Sequence, residues 1–195
     1  MRAQGVRADV VLGLPRGGVV VAAGVARELG LPLSALVVRK IGHPWQREYA
    51  VGALAEHDIL LLDPSAVGSD ASLQASLEEV IREERARLRA YEARFHPKGA
   101  PSLQGKTVLL IDDGLATGAT TEAAARAAQK AGARAVVVAA PVGSRDAVER
   151  LARVADEVRV LHVDPAFAAV GQYYERFEQT TDAEVEALLD VKRET

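Results

Sequence analysis

The stretch from Val108 to Thr121, VLLIDDGLATGATT, constrains the fold of this chain more than any other part of the sequence. Its apolar beginning, Val108 to Ile111, is typical of a buried strand that ends at turn-forming residues. Two carboxylates, Asp112 and Asp113, follow this run, and an alanine-rich segment from Glu122 to Ala131 predicts a helix. A buried strand that leads through a short loop into a helix is typical of an α/β fold with a parallel sheet.

The loop between the carboxylates and this helix has the chemistry of an anion-binding site. Its backbone amides and those of the first helical turn have no partner within the helix, and the helix dipole favours negative charge there. Gly118 permits a close approach of the backbone, while Thr117, Thr120 and Thr121 add hydroxyl donors. Two carboxylates beside such a loop suit a ligand that carries both a phosphate and a vicinal diol, such as a ribose 5-phosphate.

Strand, acid pair and loop together resemble the signature of the type I phosphoribosyltransferases, which use 5-phosphoribosyl 1-diphosphate (PRPP). Asp112, Asp113, Thr117, Gly118 and Thr120 stand at the positions of that signature. The resemblance implies that the two aspartates are catalytic residues, which hold the ribose hydroxyls near the reacting carbon. It also implies that the loop binds the 5-phosphate through Ala116, Thr117, Gly118, Ala119, Thr120 and Thr121.

A second loop of this kind follows the first predicted strand, Asp9 to Leu14, and leads into a predicted helix from Val19 to Leu29. It reads Pro-Arg-Gly-Gly, in which two glycines let backbone amides turn towards an anion and an arginine supplies positive charge. By itself this tetrapeptide is also compatible with a surface turn that carries a solvated arginine. The resemblance implies that the loop binds the diphosphate of PRPP through Pro15, Arg16, Gly17 and Gly18.

The second predicted strand, Leu33 to Val38, ends on Arg39 and Lys40, and the residues that follow combine glycine, proline and polar side chains. This composition predicts a mobile loop at 41–50. Members of the family place a flexible catalytic lid at this point, often after an Arg-Lys pair. The resemblance therefore implies that Arg39 is a catalytic residue that contacts the diphosphate, and that Lys40 makes a weaker contact with the same group.

Trp45, Glu48 and Phe167 are additional candidates for the lid and for the acceptor site. Trp45 is the only tryptophan of the chain, and its ring either seals the closed site or packs on the protein body. Glu48 either reaches the diphosphate or the acceptor, or forms a solvated pair with Arg47. Phe167 belongs to a segment that faintly resembles the base side of purine salvage enzymes, so it either stacks on a nucleobase or anchors the tail.

The chain as a whole, 1–195, is predicted to form one α/β domain with a doubly wound, mainly parallel sheet. Residues 41–62 form a flexible loop and hairpin in this prediction, and residues 164–195 form a C-terminal tail rich in aromatic side chains. A long amphipathic helix is predicted from 70 to 95, with Asp70 as its N-cap. Ligands of such sheets bind at the carboxyl ends of the strands, where all three loops are expected to meet.

The composition excludes several classes of site. Without cysteine the chain has no disulfide, thiolate nucleophile or zinc–thiolate site, and its four histidines lack the spacing of metal ligands. A formal charge of −3 gives no general attraction to nucleic acids or membranes. No transmembrane run and no signal peptide is recognisable, so the expected location is the cytoplasm.

The resemblance implies a phosphoribosyltransferase that moves the ribose 5-phosphate group of PRPP to a nitrogen nucleophile and releases diphosphate. Magnesium would be bound mainly through PRPP, with no direct protein ligand, and a homodimer is expected from the family. The acceptor stays open: Ala116 replaces the acid of hypoxanthine and guanine enzymes and is shared with adenine enzymes. The alternative is a non-catalytic regulatory protein that binds PRPP or a nucleotide on the same fold, since the acid pair and the phosphate loop serve both functions.

Overall fold

The computed structural model describes residues 7–67 and 71–190. The strands in these residues are β1 (Val10–Gly13), β2 (Leu33–Ala35), β3 (Val38–His43), β4 (Gln46–Ala55), β5 (Ile59–Leu62), β6 (Thr107–Ile111), β7 (Ala135–Ser144) and β8 (Glu157–Asp164). The helices are α1 (Gly17–Leu29), α2 (Pro64–Val67), α3 (Ala71–Phe95), α4 (Ala119–Lys130), α5 (Arg145–Leu151) and α6 (Asp182–Asp190). Short 3-10 turns span Glu56–Asp58 and Val170–Tyr173.

Five of these strands form a parallel sheet in the order β2–β1–β6–β7–β8. β1 and β6 are neighbours within it, with Val10 opposite Val108 and Gly13 opposite Ile111. Helix α1 packs on one face of the sheet, and α4 and α5 pack on the other. The predicted α/β fold with a doubly wound, mainly parallel sheet is therefore confirmed. Because neighbouring parallel strands end at the same edge, the loops after β1 and β6 meet there.

A separate antiparallel sheet of three strands, β3–β4–β5, contains the segment for which a mobile loop is predicted. The range 41–50 is not a loop over its whole length, because β3 and β4 occupy all of it except the turn between them, and its mobility stays a prediction. A Cβ at Gly42 would overlap the carbonyl of Arg47 on the opposite strand. The glycine therefore allows two strands to approach closely, and Pro44 lies in the tight turn of the β3–β4 hairpin.

The predicted second strand, Leu33 to Val38, is divided between the two sheets. β2 pairs with β1 in the parallel sheet, whereas β3 begins at Val38 and belongs to the antiparallel sheet. Leu36 and Val37 lie between these strands and are buried. The chain therefore changes sheet inside the core, where no exposed polar residue marks the change.

Helix α4 is packed between the parallel and the antiparallel sheet. Ala53 and Ala55 of β4 belong to the core around this helix, while Leu54 points the other way, towards α3. The buried side of α4 is built from alanines, which let both sheets approach: Ala123, Ala124, Ala125, Ala127 and Ala128. The helix that begins at the phosphate loop therefore also supports the β3–β4 hairpin.

The long helix predicted from 70 to 95 is confirmed as α3, which begins at Ala71 within the described residues. Asp70, its predicted N-cap, lies outside them. Apolar side chains at helical spacing form the buried face of this helix: Leu73, Leu77, Val80, Ile81, Leu88 and Phe95. A buried carboxylate, Glu84, interrupts this face and faces the β3–β4 hairpin.

The tail after β8 returns to α1 and is an ordered part of the domain over its described residues. Helix α6 packs against α1 and α3, and its Val185 and Leu189 join the core between α3 and the antiparallel sheet. Nowhere in the part of the chain that the structure describes is a helix long and apolar enough to cross a membrane.

Candidate functional site

Asp112 and Asp113 follow β6 directly and lie half-buried at the carboxyl edge of the parallel sheet. Asp112 Oδ1 accepts a hydrogen bond from the backbone N–H of Asp113 (2.9 Å), and Asp112 Oδ2 accepts one from the hydroxyl of Thr121 (3.1 Å). Thr121 is buried in the first turn of α4. Its hydroxyl, predicted as a phosphate contact, therefore orients the acid pair in this structure.

Both carboxyl groups of the pair are harder to ionise than a carboxyl group in water. Burial raises the pKa of Asp112 to about 7, and the neighbouring charge of Asp113 adds to this shift. Burial also raises the pKa of Asp113. Because the ionised pair is poorly solvated, a positive charge or the hydroxyl donors of a ligand would stabilise it strongly.

The loop after β1 lies directly against the acid pair. A Cβ on Gly17 would overlap the carboxylate of Asp113, and a Cβ on Gly18 would lie 3.0 Å from the Cα atom of Asp112. The close approach of α1 to the acid pair therefore requires both glycines. The sequence predicts these glycines as diphosphate contacts, but it does not reveal this second, steric reason for them.

Arg16 connects this loop to the tail. It precedes the first residue of α1, and its carbonyl accepts a hydrogen bond from the N–H of Val19 (3.1 Å). The peptide bond between Pro15 and Arg16 is cis. The guanidinium of Arg16 lies 3.6 Å from a carboxylate oxygen of Asp182, the first residue of α6.

The phosphate loop, residues 114–118, is held by the end of β7. Leu115 N–H donates to the carbonyl of Val142 (3.0 Å), and Ser144 N–H donates to the carbonyl of Leu115 (2.9 Å). The hydroxyl of Ser144 donates to the carbonyl of Ala116 (2.6 Å). These contacts fix the path of the loop next to the acid pair.

Helix α4 begins at the end of this loop. Gly118, which precedes the helix, has a φ of 73°, and the N–H of Ala119 donates to the hydroxyl oxygen of Thr117 (3.4 Å). The side chain of Thr120 is exposed. No hydrogen-bond acceptor among the described residues reaches the backbone N–H of Ala116, Thr117 or Gly118. The loop therefore presents donors that an anion could bind, as the predicted 5-phosphate site requires.

A cleft of about 420 Å³ opens beside the acid pair. Arg16, Gly17 and Asp113 line one part of it, and the tail between Tyr174 and Thr180 lines another. Arg176 is a second arginine that lines this cleft. Arg176 was not predicted from the sequence, because it stands in no motif and reaches the cleft only through the path of the tail. Two arginines near a carboxylate pair can bind a phosphorylated ligand.

Tyr174 anchors the tail to the acid pair. Its hydroxyl donates to the backbone carbonyl of Asp113 (2.7 Å), and burial, with the nearby charges of both aspartates, raises the pKa of Tyr174 to about 12. Val170 packs against Gly114, where a Cβ would lie only 2.6 Å from Val170 Cγ1. The tail therefore closes over the beginning of the phosphate loop.

Arg39 and Lys40 lie in a different place from Arg16. Arg39 Nε donates to Glu84 Oε2 of α3 (2.8 Å), and its guanidinium carbon lies 5.5 Å from the ring centre of Tyr91. Both residues line a separate cleft of about 500 Å³ at the junction of the hairpin with α3. The structure does not bring them together with the acid pair, so their roles in catalysis and diphosphate binding remain predictions that require the hairpin to move.

Trp45 lies in the turn of the β3–β4 hairpin. Its side chain is 67% exposed, and its ring centre lies 5.5 Å from that of His43. The ring is therefore not packed on the protein body in this structure, and its role as a seal over a ligand remains a prediction. The side chain of Glu48, the other lid candidate, lies outside what the structure describes.

Phe167 lies beside the phosphate loop. Its ring stacks on that of Tyr173 with 5.4 Å between the ring centres, and the hydroxyl of Tyr173 donates to Asp164 Oδ2 (2.6 Å). Phe167 and Thr117 both line a cleft of about 940 Å³, whereas Asp113 lines the smaller cleft described above. The position of Phe167 fits both earlier interpretations, a stacking surface for a nucleobase and an anchor of the tail.

The sequence matches a known family over most of its length. The sequence profile described as "Phosphoribosyl transferase domain" matches residues 3–176. A protein of Mycobacterium tuberculosis named "Putative phosphoribosyl transferase" is 45% identical over 185 residues, which is 94% of this chain but only 42% of that relative. An adenine phosphoribosyltransferase of Rhodococcus jostii is 33% identical over 135 residues, which is 68% of this chain and 55% of the relative.

The fold also matches a solved structure. The crystal structure of the protein TT1426 from Thermus thermophilus is similar with a TM-score of 0.76 and 47% sequence identity. The match covers 95% of this chain and 88% of that chain. The similarity therefore extends over nearly the whole chain and is not limited to one motif.

Proposed function

This chain belongs to the phosphoribosyl transferase family, and we propose on that basis that it transfers the 5-phosphoribosyl group of PRPP to a nitrogen nucleophile and releases diphosphate. One observation carries the proposal. The half-buried pair of Asp112 and Asp113 is flanked by a loop that presents N–H donors and by a cleft that contains Arg16. A ribose held by the pair would direct its 5-phosphate to the N–H donors of residues 116–118 and its diphosphate to Arg16.

The reaction that these groups would support is a displacement at carbon 1 of the ribose. The bond from carbon 1 to the diphosphate oxygen breaks, and its electron pair leaves with the diphosphate. The acceptor nitrogen supplies the pair for the new bond and loses a proton. Positive charge develops on the ribose during this step, and the poorly solvated carboxylates of Asp112 and Asp113 would stabilise it more than they stabilise the uncharged ribose ring of the bound substrate.

Magnesium fits this site as an ion that enters with the substrate. Asp113 and Glu178 line the cleft that contains Arg16, and Mg²⁺ prefers carboxylate, phosphate and water oxygens. Within residues 7–67 and 71–190, no group of three or more His, Asp or Glu side chains is arranged to hold a metal ion. We propose that PRPP and water supply most of the ligands of this ion, which would neutralise charge on the leaving diphosphate.

The test is to mix the protein with PRPP, MgCl₂ and a panel of nucleobases and amines, and to measure released diphosphate. We expect release that depends on an acceptor, and strong loss of release in Asp112→Asn and Asp113→Asn. PRPP binding without release for any acceptor would support the regulatory alternative instead. A folded protein that binds neither PRPP, ribose 5-phosphate nor a nucleoside monophosphate in calorimetry would contradict both functions.

The acceptor and the assembly are parts of the same proposal. Adenine is the first acceptor to test, because Ala116 stands where adenine enzymes carry alanine and because one relative is named as an adenine phosphoribosyltransferase. A homodimer that works in the cytoplasm is the form expected from the family. Sedimentation of the purified chain tests the first of these expectations.

A further inference from the structure

Helix α6 contacts the loop after β1 through the carboxylate of Asp182, whose side chain is 20% exposed. Asp182 Oδ2 accepts a hydrogen bond from Nη1 of Arg94 on α3 (2.8 Å). Asp182 Oδ1 lies 3.6 Å from Nη1 of Arg16. Arg94 also donates to Glu186, which lies one turn further along α6. The tail is therefore tied at the same point to α3 and to the loop before α1.

The second carboxylate oxygen of Asp182 is not satisfied by hydrogen bonds. Oδ1 is buried and accepts no hydrogen bond from any of the described residues. A buried carboxylate oxygen without a donor is unfavourable, so it gains from the guanidinium of Arg16 at ion-pair distance. Because Arg94 holds Oδ2, the carboxylate cannot rotate freely, and Oδ1 stays directed towards Arg16.

We propose that Asp182 is a positioning residue for PRPP binding, which holds the guanidinium of Arg16 beside the place of the diphosphate. The inference rests on the proposed function. Arg16 lines the cleft of about 420 Å³ together with Gly17 and Asp113, so this residue stands beside the expected place of the leaving group. A free arginine side chain samples many rotamers, and an arginine that is already held loses less conformational entropy when an anion binds.

The test compares two carboxylates of α6 that both contact Arg94. Asp182→Asn removes the charge beside Arg16, whereas Glu186→Gln removes the other partner of Arg94 and leaves the Arg16–Asp182 pair in place. Calorimetry in the presence of MgCl₂ measures the affinity of each variant for three probes. PRPP and inorganic diphosphate carry the group that Arg16 would bind, and ribose 5-phosphate lacks it.

We expect Asp182→Asn to bind PRPP and inorganic diphosphate about tenfold more weakly, which corresponds to ~1.4 kcal/mol, and to bind ribose 5-phosphate like the wild type. Glu186→Gln should bind all three probes like the wild type. Asp182→Glu keeps the charge and should retain most of the affinity. In an Arg16→Gln background, Asp182→Asn should cause no further loss, because the group it positions is gone.

Each of the following results would overturn the positioning role. An equal loss of affinity for all three probes would give Asp182 a purely structural role. Tighter diphosphate binding by Asp182→Asn would show that the carboxylate competes with the ligand for Arg16. If the wild type binds PRPP and Asp182→Asn binds it equally well, only this inference fails. If the wild type binds none of the probes, the proposed function fails, and this inference fails with it.

Discussion

Two glycines, Gly17 and Gly18, let the loop after β1 lie directly against the two aspartates of the candidate site. Gly17 lies against the carboxylate of Asp113, and Gly18 lies against the backbone of Asp112. The backbone of the loop therefore takes the place of water beside the carboxylates, and this loss of water is the main reason why the pKa of each aspartate is raised. One close approach explains both the glycines and the resistance of the pair to ionisation.

Gly17→Ala tests this close approach, because the added methyl group would overlap the Asp113 carboxylate. We expect the loop to be displaced, the free energy of unfolding to fall by ~1–3 kcal/mol, and PRPP binding to be lost. Gly24→Ala on the same helix is the matched control, since apart from its chain neighbours and the nearby backbone of its own helix no described atom lies within 4 Å of that Cβ. It should stabilise the helix by up to ~1 kcal/mol. Urea denaturation and calorimetry measure both effects, and equal PRPP affinities would contradict the expectation.

The raised pKa of Asp112 predicts how stability depends on pH. The folded-state pKa of about 7 lies above that of an exposed aspartate. At a pH between these two pKa values, the folded protein therefore binds more protons than the unfolded protein. The contribution of Asp112 to stability is therefore fully present below pH ~4 and is lost as the pH rises through about 7. Asp112→Asn does not titrate, so its stability relative to the wild type should rise between pH ~5 and pH ~8. Urea denaturation at both pH values measures this difference, and parallel pH profiles would contradict it.

The acid pair and the phosphate loop are predictable from the sequence because they follow one another within one strand, loop and helix. Asp182 and Arg176 reach the same site from the tail, and no local pattern marks them. The position of Arg39 was not predictable either, since it depends on Glu84 in a helix that comes much later in the chain. Residue types predict the succession of strand, loop and helix within a short segment. Contacts between segments that are distant in the sequence can be identified only once the fold is known.

The β3–β4 hairpin is the element whose position matters most for the proposed reaction. Its sheet packs on α4 and on α3, and the pair of Arg39 with Glu84 ties it to α3. In this paired position Arg39 lines the cleft between the hairpin and α3 and not the cleft beside the acid pair. The sequence predicted a loop here because Gly42 and Pro44 are common in loops. The close approach of Arg47 that explains Gly42 depends on strand pairing, which residue types alone do not specify.

We predict that the hairpin moves towards bound PRPP, and Trp45 provides the signal. Its side chain is 67% exposed, so closure over a ligand should remove the ring from water and shift its emission to shorter wavelengths. The shift should appear on addition of Mg-PRPP and should need a higher PRPP concentration in Arg16→Gln. Unchanged emission at saturating PRPP would show that the hairpin does not close over the ligand.

The tail supports the acid pair through the hydroxyl of Tyr174, and the neighbouring residue Tyr173 provides a matched control. Tyr174→Phe removes the hydrogen bond to the carbonyl of Asp113, and Tyr173→Phe removes the hydrogen bond to Asp164. Each loss should lower the free energy of unfolding by about 1 kcal/mol. Only Tyr174→Phe should also weaken ribose 5-phosphate binding, because only this hydroxyl holds the backbone of the acid pair. Equal binding by the two variants in calorimetry would show that the tail does not support the site.

For the whole molecule, the parallel sheet collects segments that are far apart in the sequence. Residues 15–18, 112–118 and 174–182 meet at its carboxyl edge, so the loop after β1, the acid pair with its loop, and the tail form one site. The sequence predicts the meeting of the first two groups, because both follow strands of one parallel sheet. From the tail it offers only Phe167 as a candidate, and it does not predict the path of residues 174–182, which follows from the packing of α6 on α1 and α3.

The strand order has a consequence for how the chain folds. β1 pairs with β2 on one side, but its other neighbour, β6, follows much later in the sequence. Pairings between distant segments form slowly, because the intervening chain must first lose its freedom. The loop after β1 therefore has no acid pair to pack against until β6 has joined the sheet. In refolding experiments, we expect the ability to bind PRPP to return together with the protection of the β1 and β6 amides from exchange. Any earlier, partly folded species should be unable to bind the ligand.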